Sequence, residues 1–392
     1  MIFTFQDVLV LIIVHLLLGF FFKFHYLKPN YSILERGLVL SLWFIHLGFA
    51  YFFVKYIQQN GGDSIGLWDL TADTSQYARS WMGYFGVNTF FIQWLNYIPS
   101  KLIGLSYVSG TMIYAFLSFW GMIGLLESVN YLIDKFEQKL RFPQLLYLPL
   151  FLPGLHFWTA GVSKETLLFL GVSAMFYAFS TQKQIFSIGI LGWCFCLLVR
   201  PILGVLFLPI LVVFVANRLK KRWELLSLVI VICGGLLYFS ISQFLPYLHL
   251  ENYSWEDLSD FSNRQLSFLT EFSANTTLSM ETWSWYRKLA AVALMPFPWE
   301  SWDFYSLIFS LENFWLLSIG VLGLAMGNRH LVQIPKTMIY FFMIGIVMFI
   351  VFTFTLNNLG LFYRMKSIWL PFLHITFLWL ICYSDHPSKR FQ

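Results

Sequence analysis

Charge is what this sequence has least of. Asp, Glu, Lys and Arg make up 11% of its 392 residues, against about 25% in a soluble domain. That sparseness excludes the two or three soluble domains the length would otherwise allow. Cysteine is scarce too. Cys194, Cys196, Cys233 and Cys382 all lie in apolar runs, so no structural disulfide is expected. The Cys-x-Cys spacing sends Cys194 and Cys196 to different helix faces. The eight His form no His-x-x-x-His pair, and no metal site is expected from spacing. There is no Walker or Gly-x-Gly-x-x-Gly stretch to suggest a cytoplasmic nucleotide site. Internal repeats, low-complexity tracts and the alternation of an outer-membrane barrel are also missing. The opening MIFTFQDVLV has neither a basic stretch nor an Ala-x-Ala cleavage site, so it reads as a retained first helix.

What is present is apolar. Hydrophobic residues reach 58% and aromatics 20%, and runs of membrane-spanning length recur along the chain. The expected fold is all-α: one integral membrane domain over 1–392, a polytopic bundle of about eleven spans. They fall near 7–23, 38–57, 107–131, 143–159, 165–181, 185–199, 201–216, 225–245, 305–326, 337–356 and 368–384. The stretches 143–159, 185–199 and 201–216 are short for a bilayer core of ~30 Å, so half-helices or re-entrant segments remain open for them. Two outer loops, about 58–106 and 246–304, separate spans. Within the first, residues 87–105 are aromatic but too polar to cross, and read as an interfacial amphipathic helix.

Basic residues set the orientation. The segments 23–37, 132–142, 181–184, 217–224, 327–336 and 383–392 hold 15 Lys and Arg against 5 Asp and Glu. The opposite loops and flanks hold 10 basic and 14 acidic residues. The N-terminus is therefore expected outside and the C-terminus inside. The net charge of +5 is a topology signal and not a nucleic-acid footprint.

The unusual polar clusters map to the outer side. Between two apolar runs, FWTAGVSKETLLF carries Lys164 and Glu165. The first outer loop carries Asp63, Asp69, Asp73, Tyr77 and Arg79. Arg200-Pro201 marks an outer turn, MPFPWE ends at Glu300, and NNLGLFYRMK holds Arg364 and Lys366. Each has a plain structural reading. Ser163 is a good N-cap with Glu165 in the first turn, Arg-Pro is a snorkelling anchor, Gly-Gly-Asp is a turn, and Pro-Phe-Pro-Trp is a stiff belt segment. Their company on one face favours a shared site, because a charge near lipid normally faces a wet interior.

In order, GGDS, HFWTAGVSKE, LVRP, PFPWE and LGLFYRMK-x-x-W-x-P, spanning about Gly61 to Pro371, resemble segments of bacterial envelope-polysaccharide membrane proteins. These are O-antigen-polymerase-like proteins and GT-C-type glycosyltransferases that use polyprenyl-phosphate-linked sugars. The resemblance implies a catalytic acid in the first outer loop, Asp63, with Asp69 and Asp73 as competitors. It also implies that Arg200 and Arg364 engage lipid-linked phosphate. The chain departs from the pattern in having no Asp-Asp or Glu-x-Asp pair in that loop.

The residue chemistry agrees. Arginine holds phosphate through two parallel bonds and keeps its charge. A carboxylate, Asp63 or Glu165, can take the acceptor hydroxyl's proton. Lys164, Arg79, Glu300, Lys366 and His156 are further candidate substrate-binding residues. Trp68, Trp81, Trp283, Trp285, Trp299 and Trp302 can stack on sugars or form an interfacial belt. No cofactor is called for, with a divalent cation left open. The expected partners are the bilayer and a polyprenyl-linked glycan, without nucleic acid. The expected location is the bacterial cytoplasmic membrane. Two other classes remain: a lipid-linked-glycan transporter, and a non-catalytic subunit of an envelope assembly.

Overall fold

The computed structural model describes residues 4–74, 80–219, 222–244, 262–267, 277–280, 282–301, 303–327 and 333–383. Among them the chain is helical and forms no strand, with isolated bridges at Leu140–Tyr383 and Thr277–Asn358. It divides into two compact units, 1–127 with 156–243, and 128–155 with 244–392.

The first unit opens with α1, Phe5–His25, and α2, Ile33–Asn60. Both start with a reciprocal capping box, Thr4 with Asp7 and Ser32 with Glu35, which satisfies amides that hydrocarbon could not. Asp7 is 1% exposed. Its other oxygen accepts from the Ser106 and Ser109 hydroxyls, so this buried carboxylate is fully bonded. Helix α2 stops where Gly61 and Gly62 take φ of +76° and +133°, conformations that a Cβ would oppose. Then come α3, Asp63–Asp69, α4, Thr89–Asn96, and α5, Tyr107–Phe136, which continues into the second unit's sequence. Next are α6, Pro153–Thr159, α7, Lys164–Thr181, α8, Ile190–Val199, α9, Pro201–Arg218, and α10, Trp223–Phe244.

The second unit contains a 3-10 stretch, Pro143–Phe151, and α11, residues 262–267. Its other helices are α12, Trp285–Leu294, α13, Phe304–Gly327, α14, Lys336–Thr355, α15, Leu359–Lys366, and α16, Leu370–Cys382. Helix α16 forms its core, with Leu370, Phe372, Ile375, Leu378, Trp379 and Cys382 each 2% exposed or less.

Among the described residues six helices are long and apolar enough to cross a membrane: α1, α2, α5, α9, α13 and α14. The number rises to eight if the bent pairs α6–α7 and α15–α16 each count once. The expected eleven are therefore not all present as separate full-length spans. Pro143, Pro149 and Pro153 hold 143–159 as a 3-10 segment plus a seven-residue helix. Residues 185–199 are helical but short, and α10 has an apolar stretch only over Trp223–Phe239. The interval expected as one interfacial helix is split between α4 and a π-helical segment, Tyr97–Leu102. Helix α4 buries Phe90, Phe91, Ile92 and Asn96.

Candidate functional site

In the first unit the polar residues gather where α6 gives way to α7 at a 116° bend. The turn between them is Ala160 to Ser163. Gly161 lies against the Phe53 ring of α2, so that a Cβ there would collide with the ring. Ser163 caps α7 by accepting from the Thr166 amide at 3.2 Å. The Thr166 hydroxyl turns back to the carbonyls of Gly161, at 2.6 Å, and Thr159, at 3.0 Å. The break in the helix is thus closed by side chains, as a break inside a membrane must be.

Glu165, the second residue of α7, is 0% exposed. Its Oε1 receives Arg200 Nη2 at 3.3 Å, with the Arg200 side chain 24% exposed. Arg200 sits in extended backbone between α8 and α9, with Pro201 opening the latter. The Arg200 side chain is thus partly exposed, whereas the carboxylate it meets is enclosed. Lys164 donates to the Thr89 hydroxyl at 2.9 Å. Thr89 begins α4 beside Asn88, whose backbone amide donates to Leu198 O at 2.7 Å.

Asp63 enters through its neighbour. The Ser64 hydroxyl contacts Val162 O and Tyr107 Oη, each at 2.7 Å. That ties the start of α3 to the turn preceding Lys164. Trp68 is 1% exposed, donates to Leu105 O at 3.1 Å and fills the space beside Gly110. Asp63 itself is exposed. Asp69 is exposed at the far end of α3, and Asp73 is half-buried, its backbone gripped by the Gln93 amide at 2.9 and 3.1 Å. Arg79 and Tyr77 lie outside the described residues.

His156 is placed in the interior. It is 0% exposed, its Nδ1 meets His46 Nδ1 at 3.1 Å, and Phe49 stacks on it at 5.7 Å. His46 Nε2 continues to Ser118 Oγ at 2.7 Å. Two facing ring nitrogens require one to carry a hydrogen and the other a lone pair. This buried chain of His156, His46 and Ser118 went unnoticed in the sequence, where the residues lie far apart.

The second unit holds the other candidates. Glu300 is exposed and closes a short 3-10 turn by accepting from the Phe297 amide at 2.9 Å. Arg364 is half-buried in α15. Lys366 is 0% exposed, with Nζ 3.1 Å from Asn313 Oδ1 and 3.4 Å from the carbonyls of Ala293 and Met295. Glu312, missed in the sequence reading, accepts from the Gly154 amide at 2.5 Å. Its signal was an acid well inside the apolar run of α13.

Of the expected aromatic platforms, Trp68 is sealed in the core. Trp81 is 37% exposed and stacks on Trp94 at 5.1 Å. Trp299 is 79% exposed and stacks on Phe297 at 4.9 Å. Trp285 is exposed and Trp283 lies under Arg287 at 4.1 Å. Trp302 is outside the described residues. Among those residues no group of three or more His, Cys, Asp or Glu could hold a metal ion. No protein family, characterised protein or solved structure matches this chain.

Proposed function

We propose that the chain is a membrane glycosyltransferase or polysaccharide polymerase. It acts on polyprenyl-phosphate-linked sugars at the outer face of a bacterial cytoplasmic membrane, N-terminus outside and C-terminus inside. The supporting observation is the Glu165–Arg200 pair at the α6–α7 break, with its guanidinium partly exposed and Asp63 tied nearby through Ser64. A guanidinium held by a carboxylate and still partly exposed suits a phosphate oxygen. Glu165, enclosed and paired, orients Arg200. Asp63, exposed at the start of α3, takes the proton of the acceptor hydroxyl. The acceptor oxygen bonds to the sugar's anomeric carbon as the bond from that carbon to the phosphate oxygen breaks. The departing phosphate keeps the electron pair, and Arg200 balances its charge.

The test is polysaccharide output at matched protein level in cells whose own copy is deleted. Asp63→Asn keeps shape but removes the base, and should lower output about 100-fold or more. Arg200→Lys keeps charge but loses the fork, and should also impair output. Normal amounts of normal-length glycan from both would refute the enzyme and leave a scaffold. A second reading, transport of a lipid-linked glycan, draws on the buried Glu312 and Lys366 beside helix breaks, the arrangement that transporters use for ions.

A further inference from the structure

Three chain breaks meet inside the second unit. Helix α6 begins at Pro153, α12 gives way at Met295, and α15 ends at Lys366. Glu312 and Lys366 lie among them, 5% and 0% exposed, yet no ion pair joins the two. Lys366 Nζ is held by neutral dipoles, the carbonyls of Ala293 and Met295 and the side chain of Asn313. Asn313 is itself fixed, donating to Leu294 O and Met295 O at 3.1 Å and contacting Tyr363 Oη at 2.6 Å. Glu312 Oε1 takes the Gly154 amide, but its buried Oε2 accepts no hydrogen bond among the described residues. That oxygen faces Gly154 so closely that a Cβ there would lie 2.5 Å from it. The titratable groups interacting with Glu312 are Lys366 and Tyr363.

A charged carboxylate with a bare oxygen is the costliest form a buried acid can take. Lys366 does not close the gap, because its donors point at carbonyls. A proton on Oε2 removes the charge without moving any backbone. We propose that Glu312 Oε2 is a proton-binding site of the second unit, with Lys366 as the cation that sets its occupancy. The reaction is the addition of one proton to a carboxylate, giving a carboxylic acid, and its reversal. When the proton leaves, the Lys366 ammonium is a charge placed to compensate the carboxylate. Release of the proton therefore pulls on the end of α15, at its 62° bend with α16. The site is independent of glycosyl transfer and stands or falls apart from it.

The test uses the full-length protein in detergent and a hydrophobic carbodiimide, dicyclohexylcarbodiimide. The acid's O–H adds across the reagent's C=N bond, and the adduct rearranges to a stable acylurea that peptide mass spectrometry locates. Only the protonated carboxyl reacts. Labelling of Glu312 is expected at about pH 6 and should fall severalfold by about pH 9, since the carboxylate does not react. In Lys366→Met the counter-cation is gone, and labelling should persist to higher pH. Glu312→Gln should lose the label from that peptide alone. Wild-type protein with Glu312 unlabelled at every pH, or labelled equally at all of them, would overturn the proposal, and neither result depends on whether a variant folds.

Discussion

Glu165 is wholly enclosed while Arg200 keeps 24% of its side chain exposed, and the asymmetry decides what each substitution does. Arg200→Met takes the cation away from an enclosed carboxylate, a loss of about 3–5 kcal/mol when a buried pair is broken this way. Glu165→Gln leaves a guanidinium that can turn toward solvent, and should cost clearly less. Once Arg200 is Met, adding Glu165→Gln should restore stability, because it removes the stranded charge. Thermal unfolding of the four proteins in one detergent measures this. A double variant no more stable than Arg200→Met would mean that the pair is not coupled. The sequence singled out Glu165 and Arg200 separately, because charges beside apolar runs need a reason, but it did not pair them. Glu312 was not singled out. The amide it bonds, Gly154, is 158 positions away, and nothing beside Glu312 in sequence announces the contact. Lys366 was read as an outer-face residue because Arg364 and the chain end of the helix surround it, yet the backbone turn at Lys366 carries its side chain into the core.

At the scale of elements, the bends and the close helix crossings define the first unit. Helices α7 and α8 touch through Gly171 and Gly192, where an added Cβ would lie 2.7 Å from Gly192 O and 2.5 Å from Gly171 O respectively. Backbone on both sides leaves nothing to give way, and small residues are how helices approach closely in lipid. Gly171→Val should therefore lower stability by about 1–3 kcal/mol, the usual range for overpacking. Because α7 starts at Lys164 and α8 ends just before Arg200, it should also lower glycan output. Gly37→Ala, on an α2 face with nothing within 4 Å, is the control and should leave the melting temperature in detergent unchanged or slightly raised. Equal melting temperatures for both would show that the crossing is loose. Hydropathy located helical segments along the apolar runs, though 143–159 is a 3-10 stretch followed by a seven-residue helix. A sum over side chains does not register such backbone breaks. Pro149 and Pro153 stop a helix by removing amides, and the Gly161 turn reverses direction without lowering local hydropathy.

The whole chain must place its termini on opposite sides if the basic-residue bias, 15 against 5 in the inner segments, is right. Among the described residues six helices, or eight with the bent pairs, are long and apolar enough to cross, and an even number of crossings would put both termini on one side. We therefore expect one of the shorter helices to cross as well. Residues 185–199 reach about 22 Å at 1.5 Å per residue, too short for a core of ~30 Å. Helix α10, with 22 residues, reaches about 33 Å. Ile230, Val231 and Ile232 on it are 46%, 70% and 51% exposed, the outward apolar surface of a helix facing lipid. With the bent pair α6–α7 crossing once, five crossings precede Arg222 and place it inside, and we expect α10 to carry the chain from there to the outer segment that includes Thr282. The four native cysteines give a low background, three of them buried. Thr282→Cys should react with a membrane-impermeant maleimide on intact cells, and Arg222→Cys only after permeabilisation. If Arg222→Cys labels from outside, the charge bias has been read in the wrong direction and the proposed outer-face chemistry loses its side of the membrane. If neither position labels until permeabilisation, α10 does not cross, and the Glu165–Arg200 site must be reconsidered from the even-numbered topology.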